Sequence, residues 1–156
     1  MPTSSFTVSP IGRVRGGRTE PYDDDWDRVR AAIVLDDKQF DRDATLGLSD
    51  FSHVEVVYMF DRVGDDEIER GARHPRGRAD WRRVGVFAQR GKGRPNRIGV
   101  CICTLERVDG LALHVRGLDA IDATPVLDIK PVMKGFQPRG EIREPSWAEE
   151  IMRGYW

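Results

Sequence analysis

Glycine and proline punctuate this chain from end to end. Sixteen Gly and nine Pro are spread over 156 residues and leave only short runs between them. The runs that survive are rich in β-branched and aromatic residues, which favour strands. They are Phe6–Val8, Ile11–Val14, Ala32–Leu35, His53–Phe60, Val84–Ala88, Ile98–Val108, Leu111–Leu118 and Val126–Ile129. Asp109-Gly110, between two of them, reads as a two-residue hairpin loop. Leu111, Leu113 and Val115 alternate with Ala112, His114 and Arg116, the period of a half-buried strand. Tyr22–Arg30 and Asp43–Leu48 have weak helical character, and Arg62–Arg83 is polar, basic and turn-rich, a long mobile loop. Ser146 followed by Glu149 forms a capping box, predicting a closing helix from Trp147 to Arg153 stopped near Gly154. There are too few helices for the crossovers of a parallel α/β sheet. The expectation is a mostly β, small single-domain β-barrel over residues 1–156 with one or two short helices.

Composition closes off several classes. With 39% hydrophobic residues, including four Trp and six Phe, the chain buries a core despite its 33% charged residues. No apolar run approaches the ~20 residues of a membrane-spanning helix, so no membrane is expected. The first residues lack the apolar stretch of a secretory signal, which makes the cytoplasm the expected location. Cys101 and Cys103 fall on one face of one strand and read as core-filling thiols. The three histidines are scattered, so no metal is expected. There is no Gly-x-Gly-x-x-Gly opening a helix after a strand, and so no Rossmann-like cofactor site.

Charge is distributed unevenly. Glu20 to Asp50 holds ten acidic and four basic residues, whereas Arg70 to Arg97 holds ten Arg or Lys against Asp80 alone. A segment so basic attracts an anion such as a phosphate backbone, a nucleotide or a carboxylate. The alternative is that it pairs with the acidic segment of the same chain or of a partner subunit.

Four stretches carry the chemistry. Asp50-Phe51-Ser52-His53 offers a hydroxyl and an imidazole at a strand entrance. His74-Pro75-Arg76-Gly77-Arg78 is a basic turn. Gly85-Val86-Phe87-Ala88-Gln89-Arg90 opens as a strand and runs to the turn Arg94-Pro95-Asn96-Arg97-Ile98-Gly99, where forked guanidinium groups suit carboxylate or phosphate. Gly117 to Pro131 places acids and a lysine in an apolar segment. There Val126, Asp128 and Lys130 share one strand face, and Leu127 and Ile129 the other.

These stretches, with Ser9-Pro10-Ile11-Gly12 and Gly47-Leu48, follow the order of a known family. The chain resembles the TsaA-like (TrmO) family of S-adenosylmethionine-dependent tRNA methyltransferases. The resemblance implies a small β-barrel, a homodimer with the cofactor pocket near the subunit interface, and N6-methylation of threonylcarbamoyl-adenosine next to the anticodon of a tRNA. Carried onto this sequence, it implies a cofactor site of Phe87, Ala88, Gln89, Arg90, Arg94, Asn96 and Ile98, completed by Asp119, Asp122, Thr124, Pro125, Val126 and Leu127. Asp128, Lys130 and His53 are the catalytic candidates, with Asp128 or His53 taking the proton. Ser52, Arg76, Arg78, Lys92 and Arg97 are the candidate RNA contacts. The alternatives are the same fold methylating another substrate, and a non-catalytic module that binds the cofactor or an RNA.

The chain departs from the family pattern at identifiable positions. The usual Thr-Arg-Ser-Pro-x-Arg-Pro-Asn-Pro-Ile-Gly reads Gln89-Arg90-Gly91-Lys92-Gly93-Arg94-Pro95-Asn96-Arg97-Ile98-Gly99. The usual Asp-Gly-Thr-Pro reads Asp122-Ala123-Thr124-Pro125. An acidic run, Asp23-Asp24-Asp25, stands after Pro21.

Overall fold

The computed structural model describes residues 4–156. Its strands are β1 Gly12–Arg15, β2 Arg30–Leu35, β3 His53–Met59, β4 Ala72–Arg73, β5 Val84–Gly85, β6 Ile98–Asp109, β7 Ala112–Arg116 and β8 Pro125–Pro131. Six of them close a barrel in the order β1-β2-β7-β6-β3-β8, with every neighbouring pair antiparallel. Strands β4 and β5 pair with each other outside it. The fold is mostly β, as the punctuated sequence requires. Among the described residues a single α-helix, α1 Ser146–Ile151, is accompanied by short 3-10 turns.

The alternation of side chains along each strand fills the barrel. Val14, Ile33, Val54, Val56, Leu113, Val115 and Val126 are fully or almost fully buried inside it. Cys101 and Cys103 point inward from β6 and join this core as free thiols. Burial, reinforced by the charge of Asp119, pushes both thiols up from the ordinary value of 9.0, Cys103 to about 12.

Several local expectations are corrected. Phe6–Val8 forms no strand; Phe6 and Val8 stand in solvent with no neighbouring strand to pair with. Val84–Ala88 is a strand only at Val84–Gly85, and Val86–Ala88 turns into a 3-10 helix so that Val86 can bury. The hairpin loop is Gly110-Leu111, because Asp109 pairs with Ala112. Gly110 has φ +58°, a conformation that suits glycine at the first loop position. Tyr22–Arg30 is not helical, and Asp24 and Asp25 there have positive φ. Arg62–Arg83 is not one long loop. It is organised by 3-10 turns and by β4, which β5 pairs. Pro145 occupies the N-cap position of α1 with no side-chain cap, so the Ser146/Glu149 capping box does not form.

One correction bears on the site. The β3–β8 register slips between Val57 and Tyr58, where Leu127 is left unpaired as a bulge. The extra residue reverses the alternation. Val126, opposite Tyr58, points into the core, while Asp128 and Lys130 face outward. Val126 therefore does not share their face.

The C-terminal segment straps the structure together. Asp25 N–H donates to Gly154 O at 2.8 Å and Trp26 N–H to Tyr155 O at 2.9 Å. The Trp81 indole donates to Glu150 Oε2 at 2.8 Å, tying α1 to the basic segment.

Candidate functional site

The outer face of β8, β3 and β6 collects residues from separate parts of the sequence. Asp128 lies opposite Val57, and Val57 opposite Val100, so the three form one row across three strands. Neighbouring strands are about 4.8 Å apart, which places the two ends of the row about 10 Å apart. The next row joins Lys130, Glu55 and Ile102. Lys130 Nζ contacts Asp128 Oδ2, and Ile129 N–H donates to Asp128 Oδ1 at 2.9 Å.

One edge of β6 beside these rows is open. Phe60 N–H donates to Arg97 O, and Leu105 N–H to Ser52 O, both in the β3–β6 register. Bonded pairs alternate along an antiparallel ladder. Residues 97, 99, 101, 103 and 105 thus bond to β3, and Ile98, Val100 and Ile102 aim their N–H and C=O groups the other way. Strand β7 covers β6 only from Thr104 onward. The side chains of Ile98, Val100 and Ile102 lie outward and are 40%, 37% and 42% exposed. Into this edge reaches Arg90, whose Nη2 donates to Val100 O at 2.9 Å.

The segment bearing Arg90 is held by its own side chains. Gln89 Nε2 donates to Val84 O at 2.9 Å and to Arg73 O at 3.3 Å. Arg94 Nη1 donates to Gln89 O at 2.9 Å. Gln89 and Arg94 thus shape the turn, while Phe87 (82% exposed), Ala88 and Asn96 present themselves to solvent. Arg97 has φ +53° and donates its N–H to Arg94 O. Proline can do neither, so the turn has a different course from one with the family's usual proline here.

The other candidates gather at a barrel end. The Tyr58 hydroxyl donates to Asp119 Oδ1 at 2.6 Å, and the Tyr155 hydroxyl to Asp119 Oδ2. Burial, and then the charge of Asp119, raises both phenols well above their ordinary value. Asp122 Oδ1 accepts Gly16 N–H at 2.8 Å. Thr124 is buried, its carbonyl accepting Val14 N–H. Pro125 and Val126 are buried as β8 begins.

His53 is on the same outer face as Asp128 but four residues along β3 from Val57, about 13 Å away. Its Nδ1 is 2.7 Å from Ser52 Oγ. It lines a separate 230 Å³ cavity with Asp27, Ile102, Arg116 and Trp156. Of the candidate RNA contacts, Arg76 holds Asp24 at 2.9 Å, Arg78 pairs with Asp80 and Arg97 with Asp65, while Lys92 is exposed. The acidic run thus neutralises one arginine of the basic turn. Among the described residues no three His, Cys, Asp or Glu gather to hold a metal, and no helix is long and apolar enough to cross a membrane.

Residues 20–137 match the family model for the tRNA-methyltransferase O N-terminal domain. The chain belongs to this family. It is 37% identical over 100 residues to a human tRNA (adenine(37)-N6)-methyltransferase, covering 64% of this chain and 22% of that protein. It is 35% identical over 115 residues to the Eikenella corrodens protein of the same name, covering 65% of each. The crystal structure of TrmO from Pseudomonas aeruginosa superposes with a TM-score of 0.72 at 28% identity, over 90% of this chain and 62% of that one. The chain spans less than a quarter of the length of its mammalian relatives. The motifs name Asp128, Lys130, His53 and Ile98 of this outer face, but not Val57, Val100, Glu55 or Ile102. They also miss the open edge of β6, Tyr58 and Tyr155, since only the register and the strap bring these into play.

Proposed function

We propose that this chain binds S-adenosylmethionine on the outer face of β8, β3 and β6 and transfers its methyl group to N6 of an adenosine in tRNA. The acceptor is threonylcarbamoyl-adenosine next to the anticodon. The observation that carries this reading is the row Asp128–Val57–Val100, with Arg90 seated on its far end. The donor set suits the cofactor. A carboxylate favours a sulfonium, a guanidinium a carboxylate, and outward backbone groups beside apolar side chains an adenine. Bound there, the cofactor supplies an electrophilic methyl group.

The residues of the chain then position and deprotonate the acceptor. Asp128 would accept the proton of the acceptor N6, while the outer-face residues would hold that nitrogen in line with the methyl group. Asp128 is the better placed of the two proton acceptors, because His53 lies about 13 Å further along the face. The exposed Ile98, Val100 and Ile102 beside an unpaired edge suit a second copy of the chain, and a homodimer is part of the proposal. Two free, buried thiols suit the reducing cytoplasm to which we assign it.

The test is calorimetric titration with S-adenosylmethionine, followed by transfer of labelled methyl into total tRNA and nucleoside analysis. Binding near one cofactor per subunit and label in N6-methylated threonylcarbamoyl-adenosine is expected. Absence of cofactor binding overturns the reading. The pairing of Arg76, Arg78 and Arg97 with acids favours a second reading, a different methyl acceptor, for which label appears outside tRNA.

A further inference from the structure

Arg73, on β4, is a cation without an anion. Among the described residues no carboxylate lies within salt-bridge distance of its guanidinium, and none of its N–H groups finds an acceptor. Its Nε is fully withdrawn from solvent and unpartnered. A buried donor without an acceptor is costly, and a charged one more so, which points to a missing partner. Arg97 Nε is likewise buried without an acceptor, but Arg76, Arg78 and Arg97 of the same basic segment each have a carboxylate.

The loop against which Arg73 packs is cut to admit it. A Cβ on Gly91 would lie 2.5 Å from Arg73 Nη2, and one on Gly93 would lie 3.5 Å from Nη1. The missing side chain at Gly91 lets the guanidinium tip occupy this position, whereas Gly93 is required by Glu67 O, from which a Cβ would lie 2.5 Å. Between the two glycines stands Lys92, exposed and without a carboxylate partner. The backbone N–H groups of Gly91, Lys92 and Gly93 donate to no acceptor among the described residues. Free backbone amides beside an unpaired guanidinium and an exposed ammonium attract an anion. In the usual family pattern positions 91 and 92 are Ser and Pro, so neither the clearance, the lysine nor the second amide would be present.

We propose that Arg73, Lys92 and the Gly91–Gly93 amides form a seat for one backbone phosphate of the RNA substrate. The proposal rests on the tRNA reading given above. RNA is favoured over an isolated anion because Arg70, Arg82 and Arg83 flank the segment without carboxylate partners, extending the positive surface past a single charge. The seat holds and orients the RNA; it takes no part in bond making.

The experiment compares wild type, Arg73→Gln, Arg73→Lys and Gly91→Ala for binding to unmodified tRNA across a salt series, with calorimetric S-adenosylmethionine binding in parallel. Arg73→Gln is expected to weaken tRNA binding about tenfold and to reduce the slope of log affinity against log salt by about 1. Arg73→Lys should retain most of the slope. Gly91→Ala should mimic Arg73→Gln, since the added methyl displaces a flexible side-chain tip and leaves the backbone in an ordinary conformation. Cofactor affinity should remain within twofold in all three, which also reports that they are folded. Unchanged tRNA affinity and salt slope in both Arg73→Gln and Gly91→Ala would overturn the seat while leaving the tRNA reading intact. A selective loss of cofactor affinity would overturn it too, giving Arg73 to the cofactor's carboxylate. Failure of the wild type to bind tRNA would remove the underlying reading and the seat with it.

Discussion

The two groups of residues that the family motifs assign to one cofactor site stand in opposite physical conditions. On the outer face of β8, β3 and β6, polar groups are available. Asp128 and Lys130 are solvent-accessible, Arg90 crosses an open strand edge, and apolar side chains lie uncovered. At the barrel end the polar groups are occupied. Asp119 has a tyrosine hydroxyl on each oxygen, Asp122 caps Gly16 N–H, and Thr124 is buried in backbone bonds. A ligand meeting the first group competes only with solvent-exposed contacts, Lys130 on Asp128 and Arg90 on Val100 O. To meet the second it has to displace an internal partner in a low-dielectric setting, where hydrogen bonds are stronger and their loss dearer. One motif thus spans both conditions: GLDAIDATPVLDIKP holds internally bonded polar groups before the Leu127 bulge and solvent-accessible ones after it.

Substitutions sharpen the contrast by moving activity on one side and stability on the other. Asp128→Asn keeps shape and removes the proton acceptor. We expect methyl transfer to fall about 10²-fold or more, the range for a lost general base, with the melting temperature unchanged. Steady-state transfer of labelled methyl, alongside thermal denaturation, checks this. Full activity would take Asp128 off the reacting nitrogen. Tyr58→Phe should do the reverse. It removes one of the two hydroxyls on Asp119 and should cost about 1–3 kcal/mol in urea denaturation, with cofactor affinity unchanged. A larger loss of cofactor affinity than of stability would erase the distinction between the regions.

Much of the fold was legible because its code is local. Punctuation by Gly and Pro, with alternation over Leu111–Val115, was enough to require a β-rich domain, and Leu113 and Val115 are buried as that alternation demands. What was not legible depends on partners distant in sequence. Leu127 gives no sign of being a bulge, since its bulge exists only against β3, so the reading that put Val126 beside Asp128 followed an unbroken period of two. Arg76 and Asp24 are 52 residues apart, and their pairing depends on a positive φ at both. Tyr155 reaches Asp119 only because Tyr155 and Gly154 first dock on Asp25 and Trp26. The site motifs were legible as motifs, but which of their polar atoms remain free depends on that packing.

The closed interior also predicts a pH response. The Cys103 thiol is pushed up to about 12 in the folded chain, against 9.0 when exposed. Below pH 9 both states hold the proton and nothing is lost. Between pH 9 and 12 the unfolded chain releases it while the folded chain does not, so stability falls as pH rises. The expected slope is roughly 1 kcal/mol per pH unit for each buried thiol. Denaturation midpoints at pH 8 and pH 10 check it, and Cys103→Val should flatten the decline. A decline unaffected by that substitution would place the alkaline sensitivity elsewhere.

The smallest effect tests the backbone that leads from one region to the other. Ala123 stands where the family's usual pattern has glycine, and its φ is +70°. An L side chain in that conformation carries a penalty of about 1 kcal/mol that glycine escapes. The strain persists because the residue is pinned on both sides. Its N–H donates to Val14 O at 2.9 Å, its carbonyl accepts Arg13 Nη1 at 2.9 Å, and Thr124 N–H closes the turn on Ile121 O. Glycine would also gain freedom in the unfolded chain, which opposes the relief. We therefore expect Ala123→Gly to stabilise the protein by less than about 1 kcal/mol in urea denaturation. Methyl transfer should be unaltered, because the turn fixes the start of β8 through backbone bonds that the substitution leaves in place. Destabilisation would mean that the unfolded-chain freedom of glycine outweighs the relief of the positive φ at position 123.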